Sequence, residues 1–159
     1  MNCHFFAIFT ALFLTASVGL AKMESRPQSM GGDFLVEFNT GYVFEGSEGV
    51  FELGFDFERF ISGTHHHFSI GLATELVSTD SANEYYLGPM LSAYYFHFKA
   101  FLTSGVLTDL NGHDEWKSRF GLGYEVIWTT HWIFVPTVAV DFHRSEFFPG
   151  VVLGLACEF

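Results

Sequence analysis

The chain is short of positive charge. Seven Lys and Arg stand against 18 Asp and Glu, for a formal net charge of −11 at pH 7. That balance argues against nucleic acid or an anionic surface as a direct partner, since like charges repel. Cysteine is nearly absent, with only Cys3 and Cys157. Once Cys3 leaves with the leader described below, Cys157 is alone and no intrachain disulfide can form, even in an oxidising compartment. No Cys-x-x-Cys and no phosphate-binding glycine loop occurs. After residue 21 no apolar run is long enough for a helical membrane span, yet 49% of the chain is hydrophobic. High apolar content without such a run points to membrane-crossing strands. The competing home for it is a large soluble β-core.

The first 21 residues hold no Asp, Glu, Lys or Arg. An apolar run over 5–14 leads through small residues to Gly19-Leu20-Ala21, which fits a signal peptide (1–21) cleaved before Lys22. The alternative is a single transmembrane anchor, for which the run is short and lacks a basic cytoplasmic flank. No cysteine sits near the cleavage site, which argues against a lipoprotein. Removing 21 of 159 residues leaves 138, one domain's worth. That length suits eight membrane strands of roughly 9–11 residues plus turns. Residues 22–32 are polar, with Pro27 and Gly31-Gly32, and read as a periplasmic lead-in. The barrel is expected over 33–159.

What the chain does contain is alternation. Its last stretch is V-V-L-G-L-A-C-E-F. Val151, Leu153, Leu155 and Cys157 share one face; Val152, Gly154, Ala156 and Glu158 share the other, and Phe159 ends the chain. Period two sends successive side chains to opposite faces. Seven further segments alternate, over 33–44, 50–61, 67–77, 84–95, 98–107, 118–128 and 132–143, and the closing one covers 148–159. In the second, Phe51, Leu53, Phe55 and Phe57 oppose Glu52, Gly54, Asp56 and Glu58. The fourth is ambiguous in phase; Tyr85, Leu87, Leu91 and Tyr95 are placed outward, with Gly88, Met90, Ser92 and Tyr94 inward. Pro89 predicts a bulge or weak pairing there, because it cannot donate a ladder bond. Turns are expected at 45–49, 62–66, 78–83, 96–97, 108–117 (the longest loop), 129–131 and 144–147. Trp128, Trp132, Tyr95, Phe98, Phe34, Phe68 and Phe159 would form one aromatic rim, and Tyr42, Phe44, Phe51, Tyr85, Phe120 and Phe142 the other.

The leader, the eight alternating segments and terminal Phe159 together resemble the small bacterial outer-membrane β-barrel proteins of the eight-stranded OmpA/OmpX type. The resemblance covers the whole mature region and specifies architecture better than subfamily. It implies an all-β, eight-stranded antiparallel transmembrane barrel in a Gram-negative outer membrane, and a monomer. Its partners would be outer-membrane lipid, lipopolysaccharide and the barrel-assembly machinery, which would read Phe159 as its assembly signal. Known members of the group anchor, adhere, protect the surface or, in a few cases, modify lipid, so fold does not choose among roles.

The inward charges are the candidate site: Glu37, Glu52, Asp56, Glu75, Lys99, Arg119, Glu125 and Asp141, with Glu58 and Glu158 beside them. They form either a narrow, porin-like cation pathway or a salt-bridged plug with Lys99 and Arg119 as hubs. Eight strands leave little room for water, which favours the plug. His65-His66-His67 places only two imidazoles on one strand face, short of a zinc site. His113, Asp109 and Asp114 in the longest loop could hold a divalent ion weakly. His143-Arg144-Ser145 is similar to the His-x-Ser pair of lipid A 3-O-deacylase barrels, which would make His143 the base, Ser145 the nucleophile and Glu158 or Glu146 the orienting acid. An Asn follows the Ser in that family, whereas Glu146 follows here, and the phasing turns His143 toward the lumen. The sequence therefore predicts a structural or surface-interaction protein, with no enzymatic activity and no cofactor or metal. The pore, the deacylase and a soluble calycin-like barrel with reversed faces are the alternatives.

Overall fold

The computed structural model describes residues 32–45, 48–61, 67–78, 83–109 and 112–159. The expected leader, most of the lead-in, His65 and His66 lie outside them. Nine strands form one sheet: β1 (Phe34–Glu45), β2 (Glu48–Phe60), β3 (Phe68–Ser78), β4 (Asn83–Tyr95), β5 (Phe98–Asp109), β6 (Asp114–Tyr124), β7 (Val126–Ile127), β8 (Trp132–His143) and β9 (Glu146–Glu158). β6 and β7 occupy one position in the wall. Both pair with β8 in a single register, on either side of Glu125. The wall therefore has eight positions, all antiparallel, and β1 pairs with β9 to close it. Closure removes the exposed edges that an open sheet would present.

The register fixes the barrel's dimensions. Phe34 pairs with Arg59, Arg59 with Ile70, Ile70 with Leu91 and Leu91 with Leu102. Leu102 then pairs with Phe120, Phe120 with Val140 and Val140 with Pro149. Pro149 precedes Gly150, the partner of Val43. One circuit thus returns to β1 about ten residues from its start. At ~3.3 Å per residue and ~4.8 Å between strands, that stagger sets a strand tilt near 41° and a backbone radius of about 8 Å, the range of small closed barrels. Such an interior holds side chains and little else.

The two faces separate chemically. Phe38 is 61% exposed on the outside, while Glu58 is 0% and Glu125 2% exposed inside. This excludes the soluble calycin-like alternative, which needs apolar residues within and charges without. The fourth segment takes the favoured phase, with Tyr85 and Leu87 exposed and Met90, Ser92 and Tyr94 buried. Opposite Pro89 the β4–β5 ladder lapses between the Leu87–Val106 and Met90–Thr103 pairs, without a change of register. The missing donor weakens the pairing and adds no bulge residue.

Several expected boundaries move. The hairpin between β1 and β2 is tighter than 45–49, since β1 runs to Glu45 and β2 starts at Glu48. The long loop 108–117 shrinks, because β5 reaches Asp109 and β6 begins at Asp114. The loop 144–147 is a two-residue turn, with Arg144 at φ 51° and Ser145 at φ 67°. Two successive positive φ angles match the right-handed twist of the flanking strands.

The longer β6 also shifts one rim. Phe120 sits mid-wall between Leu102 and Val140; Trp116, 62% exposed, stands near the strand end instead. Its indole donates to Ser104 Oγ at 3.0 Å. At the same end Tyr42 meets Phe44 (5.2 Å) and Phe142 meets Phe147 (4.8 Å). At the opposite end Phe34 stacks on Phe159 (6.0 Å) and Phe98 meets Tyr124 (5.1 Å). Aromatic girdles of this kind border the apolar band of membrane barrels.

Depth on the outer wall sets the cost of a charge. Leu72→Arg, mid-wall on β3, should lower stability in phospholipid vesicles by about 2–4 kcal/mol, and Tyr85→Arg, at a rim, by about 0–1 kcal/mol. Equal costs in denaturant titrations would contradict a membrane-facing wall.

Candidate functional site

Alternation carries charged residues of seven strands into one narrow lumen, where most of them sort into two clusters. The first lies toward the β1–β2 hairpin. β2 supplies Glu52, β3 Glu75, β8 Asp141, and β6 both Lys117 and Arg119. Lys117 Nζ is 2.8 Å from Glu52 Oε1, 2.7 Å from Glu75 Oε2 and 2.9 Å from Asp141 Oδ2. Those contacts use all three ammonium donors. Arg119 donates from Nε to Asp141 Oδ1, from Nη1 to Glu75 Oε1 and from Nη2 to Glu52 Oε2. A further bond runs from Nη2 to Asp141 Oδ2 at 2.6 Å. Every carboxylate therefore bridges both cations. Tyr86 completes the cluster, its ring 5.5 Å from Lys117 Nζ and its hydroxyl bonded to Thr103.

The second cluster lies toward the chain ends. Lys99 Nζ is 2.7 Å from Glu37 Oε2 and 2.7 Å from Glu58 Oε1. Glu58 Oε2 accepts from Ser69 Oγ and, at 2.9 Å, from Tyr94 OH. Asp56 lies between the clusters and accepts from Asn39 Nδ2 at 3.0 Å. Glu125 is buried where β6 gives way to β7, and its N–H donates to the His97 carbonyl at 2.6 Å. Glu158 accepts from Gly32 N–H at 3.1 Å. Glycine makes room for these side chains: a Cβ at Gly154 would collide with the Glu37 carboxylate, and one at Gly121 with the Phe101 ring.

The expected charges thus meet in groups: Arg119 with Glu52, Glu75 and Asp141, and Lys99 with Glu37. Asp56 and Glu125 are buried in the same lumen. Lys117 is the residue that sequence reasoning missed. The sequence pattern places it in the loop 108–117, yet it is 2% exposed at the centre of the larger cluster. The signal that could have found it is Trp116, whose outward phase continues that of Phe120 and leaves Lys117 in phase with Arg119.

The space left over is small. A cavity of about 10 Å³ sits between the clusters, lined by Glu37, Asp56, Glu75 and Arg119 among others. That volume suits about one water molecule. Above the larger cluster, Arg144 reaches across the mouth from the β8–β9 turn. Its Nε is 2.7 Å from Glu115 on β6 and its Nη2 is 3.3 Å from Glu84 on β4.

The residues considered for catalysis do not converge. His143 is buried in the lumen with its ring 4.5 Å from that of Phe148, while Ser145 is exposed on the turn. Glu158 lies at the far end of β9 from Glu146, the partner of His143, about 40 Å away along the strand. Glu146 is exposed beside the turn. His113 Nδ1 is 3.0 Å from Asp109 Oδ2, and His67 Nδ1 lies 3.4 Å from the Tyr94 carbonyl. Among the described residues no group of three or more His, Cys, Asp or Glu is placed to hold a metal ion.

Fold and lumen together define an eight-stranded antiparallel barrel of the transmembrane type, apolar outside and charged within. Solved structures of that class resemble it. Neisserial surface protein A superposes with a TM-score of 0.61 at 11% identity, over 80% of this chain and 97% of that one. The N-terminal β-barrel domain of Pseudomonas aeruginosa OprF gives 0.56 at 12% identity, over 79% and 96%. A de novo designed transmembrane β-barrel gives 0.56 at 14% identity, over 86% and 100%. At these identities the likeness is one of fold. No protein-family model matches the chain, and no curated protein matches it in sequence.

The cluster geometry makes a sharp energetic prediction. Arg119→Met strands three buried carboxylates on Lys117 alone and should cost about 3–5 kcal/mol. Lys99→Met should cost a similar amount, and adding Glu37→Gln should recover part of it by removing one stranded charge. Urea midpoints of the refolded proteins measure both, and additive losses in the double variant would refute the coupling.

Proposed function

We propose that this protein is a non-enzymatic structural or surface-interaction component of a bacterial outer membrane, exported by a leader cleaved near Ala21 and inserted as a monomer. The observation that carries this reading is the filled lumen. Lys117, Arg119 and Lys99 tie five carboxylates across it, and the cavity of about 10 Å³ lies between the clusters. A conduit needs a continuous aqueous path, and interior charges locked to one another favour a rigid plug over a pore. A deacylase needs His, Ser and a carboxylate together at the lipid face; here His143 is buried in the lumen, Ser145 and Glu146 are exposed at the turn, and Glu158 lies at the far end of β9. The wall and the hairpin tips remain as the surfaces available for work. The fold it shares with Neisserial surface protein A agrees with such a role.

Glu45, Glu48, Asp109, Asp114, Glu115 and Glu146 lie at or beside the β1–β2, β5–β6 and β8–β9 connections, and Asp80 is a further acid of the sequence. Direct contact with lipopolysaccharide phosphates would be repulsive, so divalent cations would bridge the two. Phe159 would serve the assembly machinery. In the folded chain its N–H and carbonyl already pair with Phe34, at 3.0 and 3.1 Å, so it also belongs to the seam that closes the barrel.

Expression in a Gram-negative host tests the reading. The protein should fractionate with the outer membrane, run faster on a denaturing gel before boiling than after, and assemble poorly when Phe159 is deleted. Lipid A mass spectra should be unchanged, and planar bilayers should show no large conductance. Acyl-chain loss abolished by Ser145→Ala would overturn the proposal in favour of a deacylase. A steady cation current lost with Glu52→Gln and Asp56→Asn would overturn it in favour of a pore.

A further inference from the structure

Charge is almost absent from the described outer wall, and what there is lies at the rims. Among the described outward-facing strand residues only Arg59 and Asp114 are charged. Asp114 opens β6 at the hairpin rim. Arg59 is next to last in β2, at the opposite rim, beside the chain ends. Its cross-strand partners are Phe34 and Ile70, both apolar. The guanidinium lies 5.6 Å over the Phe34 ring, which stacks in turn on Phe57 (5.6 Å) and Phe159 (6.0 Å). Among the described residues no carboxylate pairs with Arg59, whereas Lys99, Lys117, Arg119 and Arg144 all have acidic partners.

An uncompensated guanidinium on an apolar wall is costly at mid-depth and favourable at an interface, where its stem lies along hydrocarbon and its head reaches the polar layer. The aromatic platform steers the head, since a guanidinium on a ring face keeps its edge donors free. Those donors match a phosphate in geometry and charge. Among the described residues the other rim offers no equivalent, because Arg144 is committed to Glu84 and Glu115.

We propose that Arg59, seated on Phe34, is a binding site for the headgroup of an anionic phospholipid at the rim that carries the chain ends. The site selects net negative charge, because no carboxylate among the described residues pairs with the guanidinium and an anionic headgroup supplies a counter-ion. It takes one lipid and gives the two rims of the barrel different lipid preferences. This rests on the membrane-barrel reading above.

The test uses the folded, full-length protein in detergent micelles, with equimolar dioleoylphosphatidylglycerol and dioleoylphosphatidylcholine, and counts retained lipid by native mass spectrometry. The wild type should retain phosphatidylglycerol about five-fold better, the size expected of one interfacial cation. Arg59→Gln and, independently, Arg59→Ala should abolish the preference, and Arg144→Gln should keep it. Equal retention of the two lipids by the wild type, or a preference that survives Arg59→Gln, overturns the proposal. Heat-dependent gel mobility of each variant separates the outcomes. Its presence in Arg59→Gln shows that a lost preference is not a lost barrel, and its absence in the wild type sinks the membrane-barrel reading instead.

Discussion

Everything in this molecule depends on the closure of β1 onto β9. A membrane wall cannot leave backbone N–H and carbonyl groups unpaired, because hydrocarbon offers them no partner. Nine residue pairs from Leu35–Glu158 to Val43–Gly150 join the two strands, and Phe34 with Phe159 extends the seam. Closure with a stagger of about ten residues leaves a radius of about 8 Å. The radius in turn dictates the interior: glycines where a long side chain must cross, and charged groups only where they meet an opposite charge or a hydrogen-bond donor. Seam, stagger and ion pairs are thus successive consequences of one constraint.

The lumen's charge balance follows from that geometry. Eight buried acids, Glu37, Glu52, Asp56, Glu58, Glu75, Glu125, Asp141 and Glu158, face three buried cations, Lys99, Lys117 and Arg119. Three cations suffice to organise five of the acids because each is multidentate. Lys117 bonds three carboxylates, and Arg119 spreads its fork over the same three. A fork and a point charge are not interchangeable here. The guanidinium fixes directions, while the ammonium gathers whatever oxygen remains. Removing either leaves charges that water cannot easily reach, which is why such networks hold a structure in one state more than they stabilise it relative to an apolar core.

The fold was legible because its two faces differ so strongly in chemistry. Phe51 to Phe57 against Glu52 to Glu58 admits one phase, and a one-residue slip would put three carboxylates, Glu52, Asp56 and Glu58, into hydrocarbon. Even the ambiguous fourth segment follows, since Tyr85 and Leu87 suit lipid better than Gly88 does. Legibility ended where the strands outrun the apolar band. Near the hairpin rim the outward residues no longer need to be apolar: Ser104, Ser118 and Asn83 all face out. On β6 alternation there has a single apolar outward member, Trp116, so D-L-N-G-H-D-E-W-K reads as a loop. Lys117 was lost for that reason, and with it the partner that lets Arg119 share three acids. Pairings between strands distant in sequence, such as Glu52 with Lys117, have no local signature at all.

Likeness to a designed barrel is instructive about function. That chain covers 100% of its length against this one at 14% identity, so the architecture can be specified by pattern, turns and closure with no biological role in view. What a natural chain adds must then be sought in residues the fold does not require. The lumen charges are poor candidates, because a closed interior needs them paired and their arrangement is accounted for by that need. Arg59 is different in kind. Wall stability does not call for a guanidinium there, its neighbours Phe34 and Ile70 would pack equally well against an apolar residue, and no protein carboxylate among the described residues answers its charge. A side chain that the fold tolerates but does not use is where interaction with the surroundings becomes the simplest physical account. In a barrel whose interior charges are tied to one another, those surroundings are the lipid and the two rims.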